Sequence, residues 1–273
     1  MENFTFVKKL LCECGIDTLG ALKLSDCKIL REHKLKNAGF SDINSLFVYI
    51  FAIPYYTKCE GQRNISAYAT PRDYHAYFEG LKEHLVLKLS EKYPNHKFAC
   101  FADNSPIDER HAAASSGIGV IGKNDLIITK KYSSFVFLGE IITDMPTDVC
   151  DIHEISSCIG CGRCISACPK AEIGECLSSL TQKKGALTKA EAEAIKKYGT
   201  AWGCDICQDV CPYTEAAIKN GTIYTPIDYF RTSLTPYLDR DTLLCMSDEE
   251  FSLRAYSWRK KETVLRNLDI LSK

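Results

Sequence analysis

Eight cysteines lie from Cys158 to Cys211, seven of them in two proline-ended runs and the eighth, Cys176, between the runs. The first is Cys158-x2-Cys161-x2-Cys164-x3-Cys168-Pro169, and the second is Cys204-x2-Cys207-x3-Cys211-Pro212. Thiolates at these spacings hold two 4Fe-4S clusters, so the local chain path is dictated by inorganic cores as much as by packing. Three thiolates on one tight loop cap three irons of a cube, and the cysteine before the proline is carried to the other cube. The expected ligands of cluster I are therefore Cys158, Cys161, Cys164 and Cys211. Cluster II takes Cys168, Cys204, Cys207 and, by elimination, Cys176.

Zinc and disulfides are the rival uses of so much cysteine. Zinc takes four ligands per ion, usually from two paired knuckles, and an unbroken three-plus-one run fits that poorly. Disulfide frameworks suit small secreted domains, whereas Met1–Cys14 is polar and charged and does not resemble a signal peptide. Cysteines 12, 14, 27, 59, 100, 150 and 245 show no metal-ligand spacing and read as reduced thiols of a cytoplasmic protein. No run approaches the roughly 20 apolar residues that span a bilayer, so no membrane association is expected. With 34 basic and 35 acidic residues the net charge is −1, so attraction to nucleic acid must come from local patches.

The 273 residues allow one large or two modest domains. Helical periodicity marks residues 3–14, and an apolar strand runs over 46–53 to Pro54. A helix follows at 74–89, then a short strand at 98–102. Ser105-Pro106 predicts a helix start, with a run to about Ser115 and a stop at Gly117. Residues 126–129 and 135–143 read as two sheet strands. The alternation predicts an α/β (α+β) domain over 1–150. A ferredoxin-like double-cluster domain is expected over 151–225, including a basic helix at 189–198, with a short helical tail over 226–273.

Several stretches resemble the epoxyqueuosine reductase family. Arg63-Asn-Ile-Ser-Ala-Tyr-Ala-Thr-Pro-Arg-Asp-Tyr-His75 is similar to its R-x-I-x-x-Y-A-x-x-x-D-Y-H signature. Asp103-Asn-Ser-Pro-Ile-Asp-Glu-Arg110 is similar to its D-(T/S)-(G/A)-P-x-x-(E/D)-R. Ala52-Ile-Pro-Tyr55, the stretch Ala113–Asn124, Phe137–Asp144, the segment from Cys176 and Gly203–Pro212 extend the likeness in order along the chain. The resemblance implies a base-off cobalamin on a nitroreductase-like domain, fed by two 4Fe-4S clusters, as in the related reductive dehalogenases. It also implies reduction of epoxyqueuosine to queuosine at the wobble position of tRNA. A flavodoxin- or ferredoxin-type electron donor, a monomer, and a short form without the C-terminal helical repeats of longer members complete the expectation. A paralogous reductase of a small molecule and a noncatalytic electron carrier are the alternatives.

Asp103 aligns with the family's proton donor, and a carboxyl facing a hydrophobic corrin would have a raised pKa. His75 is expected beside it to relay a proton or bind substrate, with Tyr68 and Arg110 as weaker contacts to the cofactor. Gly117-x-Gly119-x-x-Gly122-Lys123-Asn124 mimics a dinucleotide fingerprint but follows a helix, which is the wrong context for one. Gly119, Gly122, Lys123 and Asn124 are instead expected to line the corrin. Glu109 reads as one half of an exposed helix pair. Lys183-Lys184, Lys196-Lys197 and Arg259-Lys260-Lys261 are the candidate tRNA patches.

Overall fold

The computed structural model describes residues 2–150 and 152–272. Helix α1 (Glu2–Glu13) is followed by β1 (Thr18–Lys23), α2 (Glu32–Asn37), β2 (Phe47–Pro54) and α3 (Tyr74–Lys92). Next come β3 (Phe98–Ala102), α4 (Glu109–Ser115), β4 (Gly119–Ile121), β5 (Ile127–Thr129) and β6 (Val136–Thr143). The sheet order is β1-β2-β6-β3, and every neighbouring pair is antiparallel.

Helices cover both faces of this sheet. Tyr49, Phe51, Ile53 and Ile141 alternate onto the face covered by α1 and α3. Val48, Ile50, Ala52 and Ile142 point the other way, toward α4 and Leu35 of α2. Alternation on two buried faces explains why β2 reads as a continuous apolar run. In α3, Phe78, Leu81, Leu85 and Leu89 are buried along one stripe, and Asp73 caps the helix by accepting from the His75 backbone N–H. Each buried leucine contributes about 1.5–3 kcal/mol, against about 1 kcal/mol for the cap. Packing therefore dominates the stability of α3.

Two sequence expectations change here. Helix α4 starts at Glu109 and is capped by Asp108, whose carboxylate accepts from the His111 backbone N–H. Ser105 cannot cap it, because its hydroxyl is engaged by Glu140 and accepts from the Ile107 N–H. The stretch 126–129 does not join the main sheet. Its core, β5, pairs with β4 in a separate two-stranded ribbon. The fourth place in the sheet belongs to β1, where Gly20 lets the strand pass against Ser116 at the end of α4: a Cβ there would lie 2.5 Å from the serine side chain.

The ribbon sets the position of the first cysteine run. Ile121 of β4 accepts a hydrogen bond from the Cys158 backbone N–H at 3.1 Å, and its own N–H donates to Ser156. From there the chain is short helices: α5 (Arg163–Ala167), α6 (Lys170–Ile173), α7 (Leu177–Thr181), α8 (Lys189–Tyr198), α9 (Ile206–Asp209) and α10 (Pro212–Lys219). Helices α11 (Arg240–Cys245), α12 (Asp248–Ser252) and α13 (Lys260–Leu271) close the chain. Residues 64–66 pair with 201–202 ahead of the second cysteine run, through Ala201 N–H to Asn64 and Ser66 N–H to Trp202.

The regions share their cores. Ile223, Ile227 and Phe230 lie in the core of the sheet's α1/α3 face. Trp202 and Ile65 pack with Leu243 of α11, Phe251 of α12 and Leu268 of α13, and with Tyr256 between the last two helices. Buried Asn267 of α13 donates to the carbonyls of Thr181 and Ala201, tying the tail to the cysteine region. No helix among the described residues is long and apolar enough to cross a membrane.

Candidate functional site

Cys158, Cys161, Cys164 and Cys211 line one small cavity together with Gly122, Lys123, Asn124 and Tyr213. Gly160 and Gly162 both take the left-handed conformation, at φ 71° and 78°, which lets three cysteines turn inward from one tight loop. Cys211 arrives from the second run, held just before Pro212 at the first turn of α10. The remaining four thiols form a second group. Cys207 lies within electrostatic reach of Cys168 and Cys176 and also of Cys164 from the first set, and Cys204 within reach of Cys207 and Cys176.

No disulfide joins the cysteines of the two quartets. Among the described residues no three donors converge closely enough for a single metal ion. Thiols spaced around a small void, four to a set, suit a cubic cluster better than a mononuclear site. Burial pushes the Cys207 thiol up to about 11 and the Cys204 thiol up to about 12. Asn124 offsets part of the Cys207 shift by hydrogen bonding to its sulfur.

A second cavity, of about 300 Å³, opens where β3 ends and β6 begins. Leu126, Ile127, Val136, Phe137 and Leu138 form an apolar wall, and Tyr74, Asp103, Glu109, Arg110 and Ser134 supply the polar groups. Tyr74 stacks on Phe137 with ring centroids 4.0 Å apart, and His75 stacks on Tyr74 at 4.1 Å. The His75 Nδ1 lies 2.8 Å from Asp73, and its Nε2 lies 3.5 Å from Asp103. Asp103 sits in the left-handed region, φ 61°, a conformation that aspartate tolerates better than most residues.

This geometry reverses the expected protonation of Asp103. Hydrogen bonding to His75 holds the Asp103 carboxyl below its ordinary value, against a smaller opposing effect of burial. His75 is correspondingly raised to about 10, first by Asp103 and then by Asp73. The proton of the pair resides on the imidazole. Exposed pairs of this kind add at most about 1 kcal/mol to stability, so their interest here is protonic. Since the His75 pKa lies above its unfolded value of 6.5, the pair's stabilisation is complete below 6.5 and is lost as pH rises through about 10. An NMR titration of the His75 ring should give a midpoint near 10; a midpoint near 6.5 would show that the imidazole does not engage Asp103.

The loop between β4 and β5 lies against both cavities. Gly122, Lys123 and Asn124, expected beside a corrin, line the cysteine cavity. Asp125 anchors Arg110 through its carboxylate and through its carbonyl oxygen, 2.8 Å from the guanidinium. Leu126 then lines the apolar wall. Gly119 backs onto Ile127 of that wall and itself lines a third cavity, of about 420 Å³, with His153 and Tyr213. Tyr68 accepts the Trp202 indole N–H at 2.8 Å, and burial raises its own pKa to about 12. The tyrosine is thereby tied to the packing around the second cysteine run.

Glu109 is not an exposed helix partner. It lines the cavity beside Asp103 and is raised mainly by burial, then by the Asp103 and Asp108 carboxylates. Ser134 and Glu140 are site-adjacent residues that motif reading passes over. Ser134 donates to Gln208 at 3.0 Å, linking the cavity wall to the second cysteine run. Glu140 is fully buried beneath the same turn. A lone carboxylate inside Phe137-Leu-Gly-Glu-Ile-Ile was the readable signal for it.

Two cysteine quartets beside a helix-covered sheet, with a proton-bearing pair at the sheet's end, define an iron–sulfur protein built for redox chemistry. Residues 157–214 match the family described as a 4Fe-4S double cluster binding domain. The epoxyqueuosine reductase of Listeria monocytogenes is 30% identical over 290 residues, covering 99% of this chain and 74% of that one. That of Synechocystis is 32% identical over 74% of this chain and 72% of its own length. The Gloeobacter violaceus relative is 35% identical, but the match spans 62% of its length. The epoxyqueuosine reductase structure from Streptococcus thermophilus superposes with a TM-score of 0.77 at 25% identity, over 99% of this chain and 81% of that one. The chain belongs to the epoxyqueuosine reductase family.

Proposed function

We propose that this protein reduces epoxyqueuosine to queuosine in tRNA, using cobalamin and electrons relayed through two 4Fe-4S clusters. The observation that carries the reading is the placement of the His75–Asp103 pair on a cavity that one loop, residues 122–126, joins to the first cysteine quartet. Cysteines 158, 161, 164 and 211 would hold one cluster, and 168, 176, 204 and 207 the other. The apolar wall and polar rim of the 300 Å³ cavity suit a flat macrocycle edged with amides. Leu126, Phe137 and Leu138 would lie against its face, with Arg110 and Ser134 at the edge. When bound, cobalamin supplies the low-potential reductant that these side chains lack.

What the protein residues contribute is protonation and water exclusion. His75 holds a proton through neutral pH, and Asp103 lies 3.5 Å from its Nε2 on the cavity side. Together they can deliver a proton to the oxygen that leaves the substrate. Phe137 and Tyr74, stacked, close the hydrophobic side.

A structure of an epoxyqueuosine reductase with an epoxyqueuosine-modified tRNA stem loop shares this fold, with a TM-score of 0.76. Lys183, Lys197 and Lys261 are each engaged by an acidic partner here, which weakens them as RNA contacts. The exposed Trp258, with the Arg259 guanidinium 3.8 Å from its ring centroid, is a surface suited to stacking on bases. A cytoplasmic location and a flavodoxin- or ferredoxin-type donor complete the proposal.

The test is anaerobic reconstitution with iron, sulfide and cobalamin, followed by nucleoside analysis of epoxyqueuosine-containing tRNA. Queuosine should accumulate once a low-potential reductant is added. Cluster-replete, cobalamin-bound protein that leaves the epoxide intact would reject the substrate assignment.

A further inference from the structure

We propose that Glu109 and Glu140 form a buried proton store behind Asp103, with Glu109 supplying the second proton of the reduction. This rests on the epoxide-reducing reading above. Opening and removing the oxygen breaks two C–O bonds, forms one C=C bond and releases water. That requires two electrons, which an external low-potential donor provides through the clusters, and two protons. The His75–Asp103 pair carries one proton, and the chemistry leaves the second unassigned.

The structure offers one neighbouring source. Glu109 opens α4, where a carboxylate would ordinarily point to solvent, yet its Oε1 is buried without a hydrogen-bond partner. The side chain lines the same cavity as Asp103 and Tyr74, and the Asp103 backbone N–H faces its carboxyl. Behind it, Glu140 stands in the middle of β6 with no exposed surface, opposite Ile50 on one side and Phe101 on the other. Its Oε1 accepts from the Ser105 hydroxyl, and its Oε2 has no partner. Ser105 in turn donates its backbone N–H to the Asp103 carbonyl at 2.8 Å, so the turn holding Asp103 rests directly on Glu140.

Neighbouring cations compensate these carboxyls only in part: Arg31 lowers Glu109 and Lys34 lowers Glu140, each by less than burial raises it. Lys34 is directed to the Asn104 carbonyl and Arg31 to the Ser105 carbonyl, while Arg110 is held by Asp125. The other groups facing the pair are Asp103, Asp108 and the Tyr74 phenol, with the Cys27 and Cys100 thiols beside Glu140. Among the described residues neither glutamate has an ion-pair partner. A buried, unpaired carboxylate is strongly disfavoured, so these groups neutralise by keeping their protons. Burial raises both, and the Glu109 charge raises Glu140 further. Neutral glutamic acids next to a reaction cavity are donors in waiting.

The experiment is Glu109→Gln and Glu140→Gln in the reconstituted holoenzyme, each preserving shape. Infrared spectroscopy of the wild-type protein at neutral pH should show protonated-carboxyl C=O bands, one lost in each variant. Glu109→Gln should keep both clusters yet turn over about tenfold more slowly. It should also lose the alkaline decline that the wild type shows as Glu109 gives up its proton. Glu140→Gln should shift that decline toward lower pH. A full rate with an unchanged pH profile in Glu109→Gln would overturn the proposal, as would the absence of both infrared bands. Bands present in a wild-type enzyme that fails to reduce the epoxide would instead refute the substrate reading and leave the proton store standing.

Discussion

Replacing Asp103 by asparagine is expected to slow substrate reduction by about 10²–10⁴-fold while leaving iron and cobalamin content unchanged, the usual span for loss of a general acid–base group. Asparagine is the informative choice because position 103 has φ 61°, and asparagine shares aspartate's tolerance of that region. A backbone collapse therefore cannot account for the loss. The substitution also removes the strongest influence on His75, the hydrogen bond to Asp103, leaving Asp73 at 2.8 Å. The imidazole should then release its proton at a lower pH than the midpoint of about 10 expected for the wild type. Residual activity should accordingly fall off at lower pH. Single-turnover rates across a pH series measure both effects together. A rate equal to wild type would clear Asp103 of any part in proton delivery, and an unmoved His75 titration would separate the two residues.

The cysteine region was legible in sequence because ligand spacing is local and the chemistry tolerates few alternatives. The bounds of β3 and α8 were readable for similar reasons: a five-residue apolar run before a turn, and a basic helical stretch, whose start the structure shows fixed by a Thr188–Glu191 capping box. Strand β1 was not. Thr18-Leu-Gly-Ala-Leu-Lys lacks β-branched residues beyond its first, and its Gly20 is explained only by Ser116, far along the chain. The helix start at Ser105-Pro106 failed for the same kind of reason. Serine is a good cap in isolation, but here a buried glutamate from β6 takes its hydroxyl.

Protonation is the least local property of the site. From sequence, Asp103 is a carboxyl at a strand end, expected to be raised by a hydrophobic neighbour. The fold instead brings His75 from the start of α3 to within 3.5 Å, and the direction reverses. Glu109 changed in the opposite sense, from a surface pair to a buried acid, because its helix packs with Ala112, Ala113 and Ala114 directly on the sheet. Small residues bring the helix close, and closeness is what removes water from Glu109.

The exchange of ligands between the two cysteine runs makes the sharpest structural prediction. Cys211 belongs to the second run by sequence but shares its cavity with Cys158, Cys161 and Cys164 of the first. Cys211→Ala should therefore destroy the cluster held by the first run and remove about half the bound iron, leaving one 4Fe-4S cluster. The surviving cluster should keep an electron paramagnetic resonance signal like that of the second quartet in the intact protein. Cys161→Ala, from the other run, should abolish the same first-quartet signal that Cys211→Ala removes. Cys204→Ala should abolish the complementary one. If Cys211→Ala and Cys204→Ala instead remove the same signal, the two runs bind clusters independently, and the crossing at Pro212 carries no ligand from one to the other. The crossing has a consequence for stability as well. A cluster bridging α5 and the start of α10 joins segments separated by the whole of α6 through α9, so its loss should loosen the region around Tyr213 and the 122–124 loop. Iron removal with a chelator should thus increase amide exchange at residues 122–124 along with the cysteine loops, even though that loop supplies no thiolate.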